Sequence, residues 1–281
     1  MRKDFQAGYK FRLTINFYLS AEPFLYKFNR NVTGFKPIHY NGDLYLGLIY
    51  FVMDRNNSHK SGLGRIIYGN TIFLIPYLIF SFFLLILLKI YGNSFLFLIV
   101  NENHSKFIDF VFLNFTNLGD GVIAFLLILG LLRVSFRDAI TFLIITLLIT
   151  IIVSLLKEHI FPELVRPVKY FGTTKILHLV SGYRPPFLGS FPSGHTATIF
   201  SVCLYLSIYS KSSVVKLLLF LIAFLVGYSR IYLSAHFPVD VVAGAFVGVS
   251  VTLLCYCFSR QIKHPWLDNN IVFTNNMHYI I

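Results

Sequence analysis

A chain of 281 residues that is 56% hydrophobic, with mean hydropathy +0.69, does not read as a water-soluble domain. Only 13% of its residues are charged, against about a quarter in soluble proteins, so the composition is that of a membrane protein. The 24 Lys+Arg against 12 Asp+Glu give a net charge of +12. With no nucleic-acid motif and no basic stripe interleaved with aromatics, that excess fits basic cytoplasmic loops and attraction to anionic or phosphorylated lipids.

Residues 1–70 are the least lipophilic part and read as a basic cytoplasmic segment. The start lacks the apolar core and small-residue cleavage site of a signal peptide. An apolar run at 44–53 is too short to cross a bilayer, which takes about 20 residues. It fits a strand, an interfacial segment or a buried helix equally. Met53 offers an alternative translation start, which would leave 1–52 as upstream sequence.

Six apolar spans follow, at 71–91, 120–132, 139–156, 196–209, 214–232 and 239–258. A polar loop at 92–119 holds one short amphipathic run, 107–115. A long polar insert, 157–195, separates the third and fourth spans. The last span is rich in Gly, Ala and Val, as suits close helix packing. Cys203, Cys255 and Cys257 lie in apolar runs without metal spacing and read as buried thiols. The tail, 259–281, is polar and is expected to fray. The fold expected is therefore all-α, a polytopic bundle of six transmembrane helices over 71–258.

Charge orients the bundle. Arg133, Arg137, Lys211, Lys216, Arg260 and Lys263 fall on the same side as the basic N-terminal segment, which the positive-inside rule makes cytoplasmic. The insert breaks that rule. It carries Lys157, Arg166, Lys169, Lys175 and Arg184 on the opposite side, where binding an anion would account for them.

Three polar clusters face that side. One runs from Lys157 to Arg166-Pro167, the second is Pro192-Ser193-Gly194-His195, and the third runs from Ser229-Arg230 through His236 to Asp240. Ser193 suits a helix N-cap, and the helix start after it offers unpaired N–H groups to an oxyanion. Two histidines can divide the labour of phosphoryl transfer, one attacking phosphorus and one protonating the departing oxygen. An aspartate can fix the attacking imidazole in one tautomer. Arginines and a lysine can neutralise charge on the equatorial oxygens. Pro238 places His236 just before a helix and Asp240 in its first turn.

These clusters resemble the three-motif signature of the type 2 phosphatidic acid phosphatase (PAP2) superfamily, related to the vanadium haloperoxidases. The family pattern is Lys-x6-Arg-Pro, Pro-Ser-Gly-His and Ser-Arg-x5-His-x3-Asp. The second and third motifs are intact here. In the first, the family spacing would place the lysine at His159, whereas Lys157 lies two residues earlier. Either Lys157 reaches the site, or His159 or another basic residue replaces it.

The resemblance implies a membrane phosphatase acting on a lipid phosphate or diphosphate. His236 would be the nucleophile forming a phosphohistidine, Asp240 its orienting partner, and His195 the general acid. Lys157, Arg166, Ser193, Gly194 and Arg230 would cradle the phosphate. No cofactor is implied, and a metal held by His195, His236 and Asp240 is the alternative to metal-free chemistry. The partners implied are the bilayer and a substrate such as phosphatidic acid, phosphatidylglycerol phosphate, undecaprenyl diphosphate or phosphorylated lipid A. The site would face the periplasm from a bacterial inner membrane. A lipid phosphotransferase would use the same residues, and a vanadate-dependent peroxidase fits this membrane-rich layout less well. A non-catalytic channel, transporter or scaffold would instead need polar groups along the spans.

Overall fold

The structure, a computed structural model, describes residues 62–271. The 44–53 run and the question of Met53 lie outside them. Among the described residues the chain is all-helical. Helix α1 (Leu63–Gly69) and α2 (Thr71–Tyr91) meet at Asn70. The buried amide of Asn70 donates to Ile66 O at 2.8 Å and accepts from Ser207 Oγ at 2.9 Å.

The stretch expected to be a polar loop, 92–119, is mostly helical. It forms α3 (Asn93–Glu102), α4 (Lys106–Phe115) and a 3-10 turn, Thr116–Gly119. Two of its asparagines bond back to their own helices, Asn103 Nδ2 to Ile99 O and Asn114 Nδ2 to Phe110 O, each at 2.7 Å. Its apolar positions Val100, Ile108 and Phe112 pack against buried Tyr232 and Leu233. Local backbone bonding and tertiary burial together outweigh the polar composition.

After α5 (Gly121–Leu131) comes α6 (Phe136–Leu155), which runs on into a wide π-turn, Leu156–Ile160. The insert contains one short helix, α7 (Pro167–Phe171). Three long elements close the fold: α8 (Gly194–Tyr209), α9 (Ser213–Tyr232) and α10 (Pro238–Ser259).

Among the described residues four helices are long and apolar enough to cross a membrane: α2, α6 with its π-turn, α9 and α10. The pair Lys106–Gly119 and Gly121–Leu131, bent by 50°, makes a fifth if it counts as one span. The outer face of α2 leaves Ile75, Leu78, Ile79, Phe82 and Phe83 exposed, as a helix in contact with lipid does. The chain is an integral membrane protein. At 16 residues α8 is shorter than these spans and lies innermost, with 11 of its residues buried.

Helix α8 packs on α10 through two glycines. A Cβ on Gly244 would run into Ser193 O, and one on Gly248 into Ala197 O. Further along, Thr252 Oγ1 donates to Gly248 O at 2.7 Å and lies 2.8 Å from Ser201 Oγ. Small residues thus let two backbones touch where hydrocarbon supplies no hydrophobic drive between helices.

Where α6 begins and α8 and α10 end, the charges are paired. Buried Asp138 accepts from Ser135 Oγ at 2.5 Å, from Tyr209 OH and from Arg260, whose guanidinium sits 4.6 Å from the Tyr256 ring centroid. Arg137 donates to Asp268 Oδ1 at 2.8 Å and to Ser259 O and Ile262 O at 2.7 Å. Over its described part, 259–271, the tail therefore does not fray, because backbone bonds from Phe136 N to Asn269 O and from Ile271 N to Leu132 O fix it. Of the cysteines, Cys203 is buried while Cys255 and Cys257 are only partly so, and all three are free thiols.

Gly248→Ala is expected to lower stability by about 1–3 kcal/mol, because the methyl group must push the α8 and α10 backbones apart. At Gly121 an added Cβ meets nothing within 4 Å, so Gly121→Ala should be neutral to within about 0.5 kcal/mol. Thermal unfolding of both variants in detergent checks the pair.

Candidate active site

At the opposite end of the bundle, the end of α6, the start of α8, the end of α9 and the start of α10 converge with the Thr116–Gly119 turn. Ser193 caps α8 as its sequence suggests: Ser193 Oγ takes Thr196 N at 3.4 Å and Thr196 Oγ1 at 2.8 Å. Its own amide donates to Asp240 O at 2.9 Å, tying the start of α8 to the start of α10. Asp240 Oδ2 accepts from Phe237 N at 2.9 Å, closing the first turn of α10, and from Ser190 Oγ at 2.5 Å.

His236 lies just ahead of α10, buried. Its Nδ1 is 3.5 Å from Asp240 Oδ2, and its Nε2 is 3.3 Å from Arg166 Nη1. A guanidinium only donates, so Nε2 presents its lone pair and the ring proton belongs on Nδ1, toward Asp240. Arg166 is fixed by three further bonds: Nε to Leu188 O at 2.9 Å, Nη1 to Ala235 O at 3.1 Å and Nη2 to Gly189 O at 3.2 Å. These carbonyls hold the guanidinium without cancelling its charge.

Lys157 stands within the π-turn Leu156–Ile160, whose wider turn redirects side chains at the helix end. Lys157 is half-buried with its Cδ beside Gly189, 3.7 Å from where a Cβ there would stand, while His159 is exposed. It is thus Lys157, and not His159, that lies beside the strand of chain gripping Arg166.

Arg230 enters from α9. Nη1 donates to Thr116 Oγ1 and Nη2 to Tyr183 OH at 2.8 Å. Its buried Nε, like His236 Nδ1, meets no hydrogen-bond criterion among the described residues. His195, in the first turn of α8, places Nε2 2.7 Å from Asp120 Oδ1. Gly194 stands beside it, at the helix start. All eight residues singled out from the sequence thus lie at one end of the bundle. Four further groups, Thr116, Asp120, Tyr183 and Ser190, were not singled out. Only Asp120 carried any signal, as a charge at the head of an apolar run.

The cations dominate the local field. Burial, and then the charges of Arg166, Arg230, Lys157 and His195, hold His236 well below its ordinary value. Burial and Arg230 push His195 down to about 4, and the charge and hydrogen bond of Asp120 oppose that fall. Among the described residues no three His, Cys, Asp or Glu side chains gather as metal ligands would.

The fold and this cluster define a class: an all-helical membrane protein whose polar groups, suited to an oxyanion, gather at one end. A model of the PAP2 superfamily matches residues 138–263. The solved structure of Aquifex aeolicus LpxE is 32% identical with a TM-score of 0.51, and the match covers 60% of this chain and 95% of that one. The chain belongs to the PAP2 superfamily. Among curated relatives, the bacitracin transport permease protein BcrC of Bacillus licheniformis is 40% identical over 74 residues, 26% of this chain and 36% of that protein. Phosphatidylglycerophosphatase B of Bacillus subtilis is 35% identical over 114 residues, 33% of this chain and 56% of that protein. The chain thus spans between about a third and just over half the length of these two relatives.

Histidine NMR of the ligand-free protein in detergent tests the local field. At about pH 6, where a free imidazole is largely protonated, His195 and His236 should both remain neutral. A His195 midpoint near the ordinary 6.5 would contradict the field described here.

Proposed function

We propose that this chain is a membrane phosphatase that hydrolyses a lipid phosphate or diphosphate through a phosphohistidine on His236. One juxtaposition carries the proposal: Arg166 Nη1 stands 3.3 Å from His236 Nε2, with Asp240 Oδ2 3.5 Å from the other ring nitrogen. A phosphoryl oxygen drawn to that guanidinium takes the Arg166 N–H away from Nε2 and brings phosphorus up to a nitrogen that carries no proton. Low proton affinity keeps His236 nucleophilic, and Asp240 takes up the positive charge that the ring acquires on attack.

In the first step the bond from His236 Nε2 to phosphorus forms as the bond to the lipid oxygen breaks. His195 gives its proton to that oxygen. In the second, a water gives a proton back to His195 while its oxygen bonds to phosphorus and the bond from phosphorus to His236 Nε2 breaks, so that inorganic phosphate leaves and His236 is restored. Lys157, Arg166, Arg230, Ser193 and the Gly194 amide bind the equatorial oxygens, where each well-aimed donor is worth about 3–4 kcal/mol in the transition state. No step requires a metal or other cofactor. An arriving phosphate dianion offsets Arg166 and Arg230, so substrate binding itself raises the proton affinity of His195.

Counting the bent pair and α8 with the four long helices gives six crossings. That count and the basic opposite end support a site facing the periplasm of a bacterial inner membrane. The bilayer would then deliver the lipid sideways, with its phosphate at helix-end depth. Phosphatidic acid, phosphatidylglycerol phosphate, undecaprenyl diphosphate and lipid A all present the required group. The relative named a transport permease favours a transporter. Against that, among the described residues the bundle between its two polar ends holds paired hydroxyls such as Ser201 and Thr252 and not a charged path.

Phosphate release from a panel of those four lipids tests the proposal. His236→Ala should reduce turnover by about a thousandfold or more while the protein stays folded and inserted. Turnover like wild type would overturn it. With radiolabelled substrate, label recovered as free phosphate supports hydrolysis, and label on an acceptor lipid would replace hydrolysis by transfer.

A further inference from the structure

The PAP2 signature assigns one carboxylate, Asp240, to the histidine pair. This chain brings a second acid to the other histidine. We propose that Asp120 is a positioning residue for His195: its carboxylate anchors the imidazole through Nε2 and keeps on the ring the proton that leaves with the lipid oxygen. The inference rests on the phosphatase reading above.

Three observations carry it. The Nε2–Oδ1 separation is 2.7 Å, the span of a charge-assisted hydrogen bond. Gly119, next to Asp120, closes against His195 itself: a Cβ there would stand 3.0 Å from both His195 Cβ and His195 O. The same turn reaches a second site residue, because Thr116 Oγ1 accepts from Arg230 Nη1. The turn and Asp120 thus form a fourth wall of the site, drawn from a stretch of the chain the signature does not include.

The chemistry needs such a group. The charged and titratable groups that bear on His195 are Arg230 from α9, Arg166 from the insert, His236 from the α9–α10 turn, and Asp120. Among these groups of the described residues, Asp120 supplies the negative charge. Burial and the cations drive the proton off His195, and Asp120 acts in the opposite direction. Anchoring Nε2 also leaves Nδ1 for the leaving oxygen. Asp240 divides the labour in the mirror sense, facing Nδ1 of His236 and leaving Nε2 for phosphorus.

A leaving group that needs a proton should feel the loss of Asp120, and one that leaves without help should not. With a lipid phosphate monoester, Asp120→Asn is expected to lower kcat about 100-fold. With p-nitrophenyl phosphate, whose phenolate departs unprotonated, the loss should stay under about fivefold. Asp120→Glu should restore most of the lipid activity. Histidine NMR with saturating inorganic phosphate gives an independent measure, in which Asp120→Asn should lower the His195 midpoint by about one pH unit or more.

An unmoved midpoint, or equal losses on both substrates, would show a structural role alone and overturn the proposal. Should wild type release phosphate from no substrate while the midpoint still moves, the phosphatase reading fails and the Asp120–His195 coupling stands.

Discussion

The close approach of α8 and α10 is the constraint on which the site depends. Each helix brings its first turn to the same place, and the two turns are joined by the bond from Ser193 N to Asp240 O at 2.9 Å. That bond requires the axes to be as near as two backbones allow. Gly244, opposite Ser193 O, and Gly248, opposite Ala197 O, are what allow it. Inside a bilayer neither helix gains by hiding apolar surface from the other, since lipid is equally apolar, so shape alone sets their distance. Gly227 extends the same logic to α9, where an added Cβ would press on Val241 at 3.1 Å. The spacing between His195 and His236 is therefore a packing outcome, fixed well below the residues that do the chemistry.

Electrostatically the two ends of the bundle differ. Around Asp138 the carboxylate is satisfied, meeting Arg260, two tyrosine hydroxyls and Ser135, although Arg260 Nε itself makes no bond among the described residues. Removing one partner from such a set would strand a buried charge at a cost of about 3–5 kcal/mol, so that end acts as a fastener. At the other end Arg166, Arg230 and Lys157 crowd round His236, and the Oδ2 of its neighbour Asp240 is already taken up by Ser190 and Phe237. Positive charge is in surplus there, and carbonyls rather than carboxylates hold Arg166 in place. A carbonyl orients a guanidinium and leaves its field intact, which is what a site for an incoming anion requires.

Much of this is legible in the sequence, where chemistry fixes the spacing. Ser193, Gly194 and His195 must be adjacent to share a helix start, and His236 and Asp240 must be four apart to meet across a first turn. Lys157 is harder, because a π-turn makes spacing an unreliable guide to direction. Thr116, and Asp120 beyond its place at the head of an apolar run, are out of reach for a different reason: they meet Arg230 and His195 only through tertiary packing. Composition misleads over the tail and the 92–119 stretch. Asn103 and Asn114 look like loop residues until their amides bond to carbonyls one turn back, and Asp268 looks solvated until Arg137 claims it.

The two histidine–aspartate pairs differ most in how far they are open. His236 and Asp240 leave 2% and 3% of their side chains exposed, whereas His195 and Asp120 leave 35% and 45%. A nucleophile gains from isolation, since water near Nε2 would stabilise the protonated ring and take its lone pair out of use. An acid that becomes a base within one cycle has the reverse need. It must exchange a proton with the substrate oxygen and then with water, so it has to sit where both can reach it. Burial at one histidine and access at the other follow from the same bundle: His236 is buried within the turn between α9 and α10, and His195 stands at the rim, on the first turn of α8. In the proposed mechanism the fold thus separates the two roles by depth.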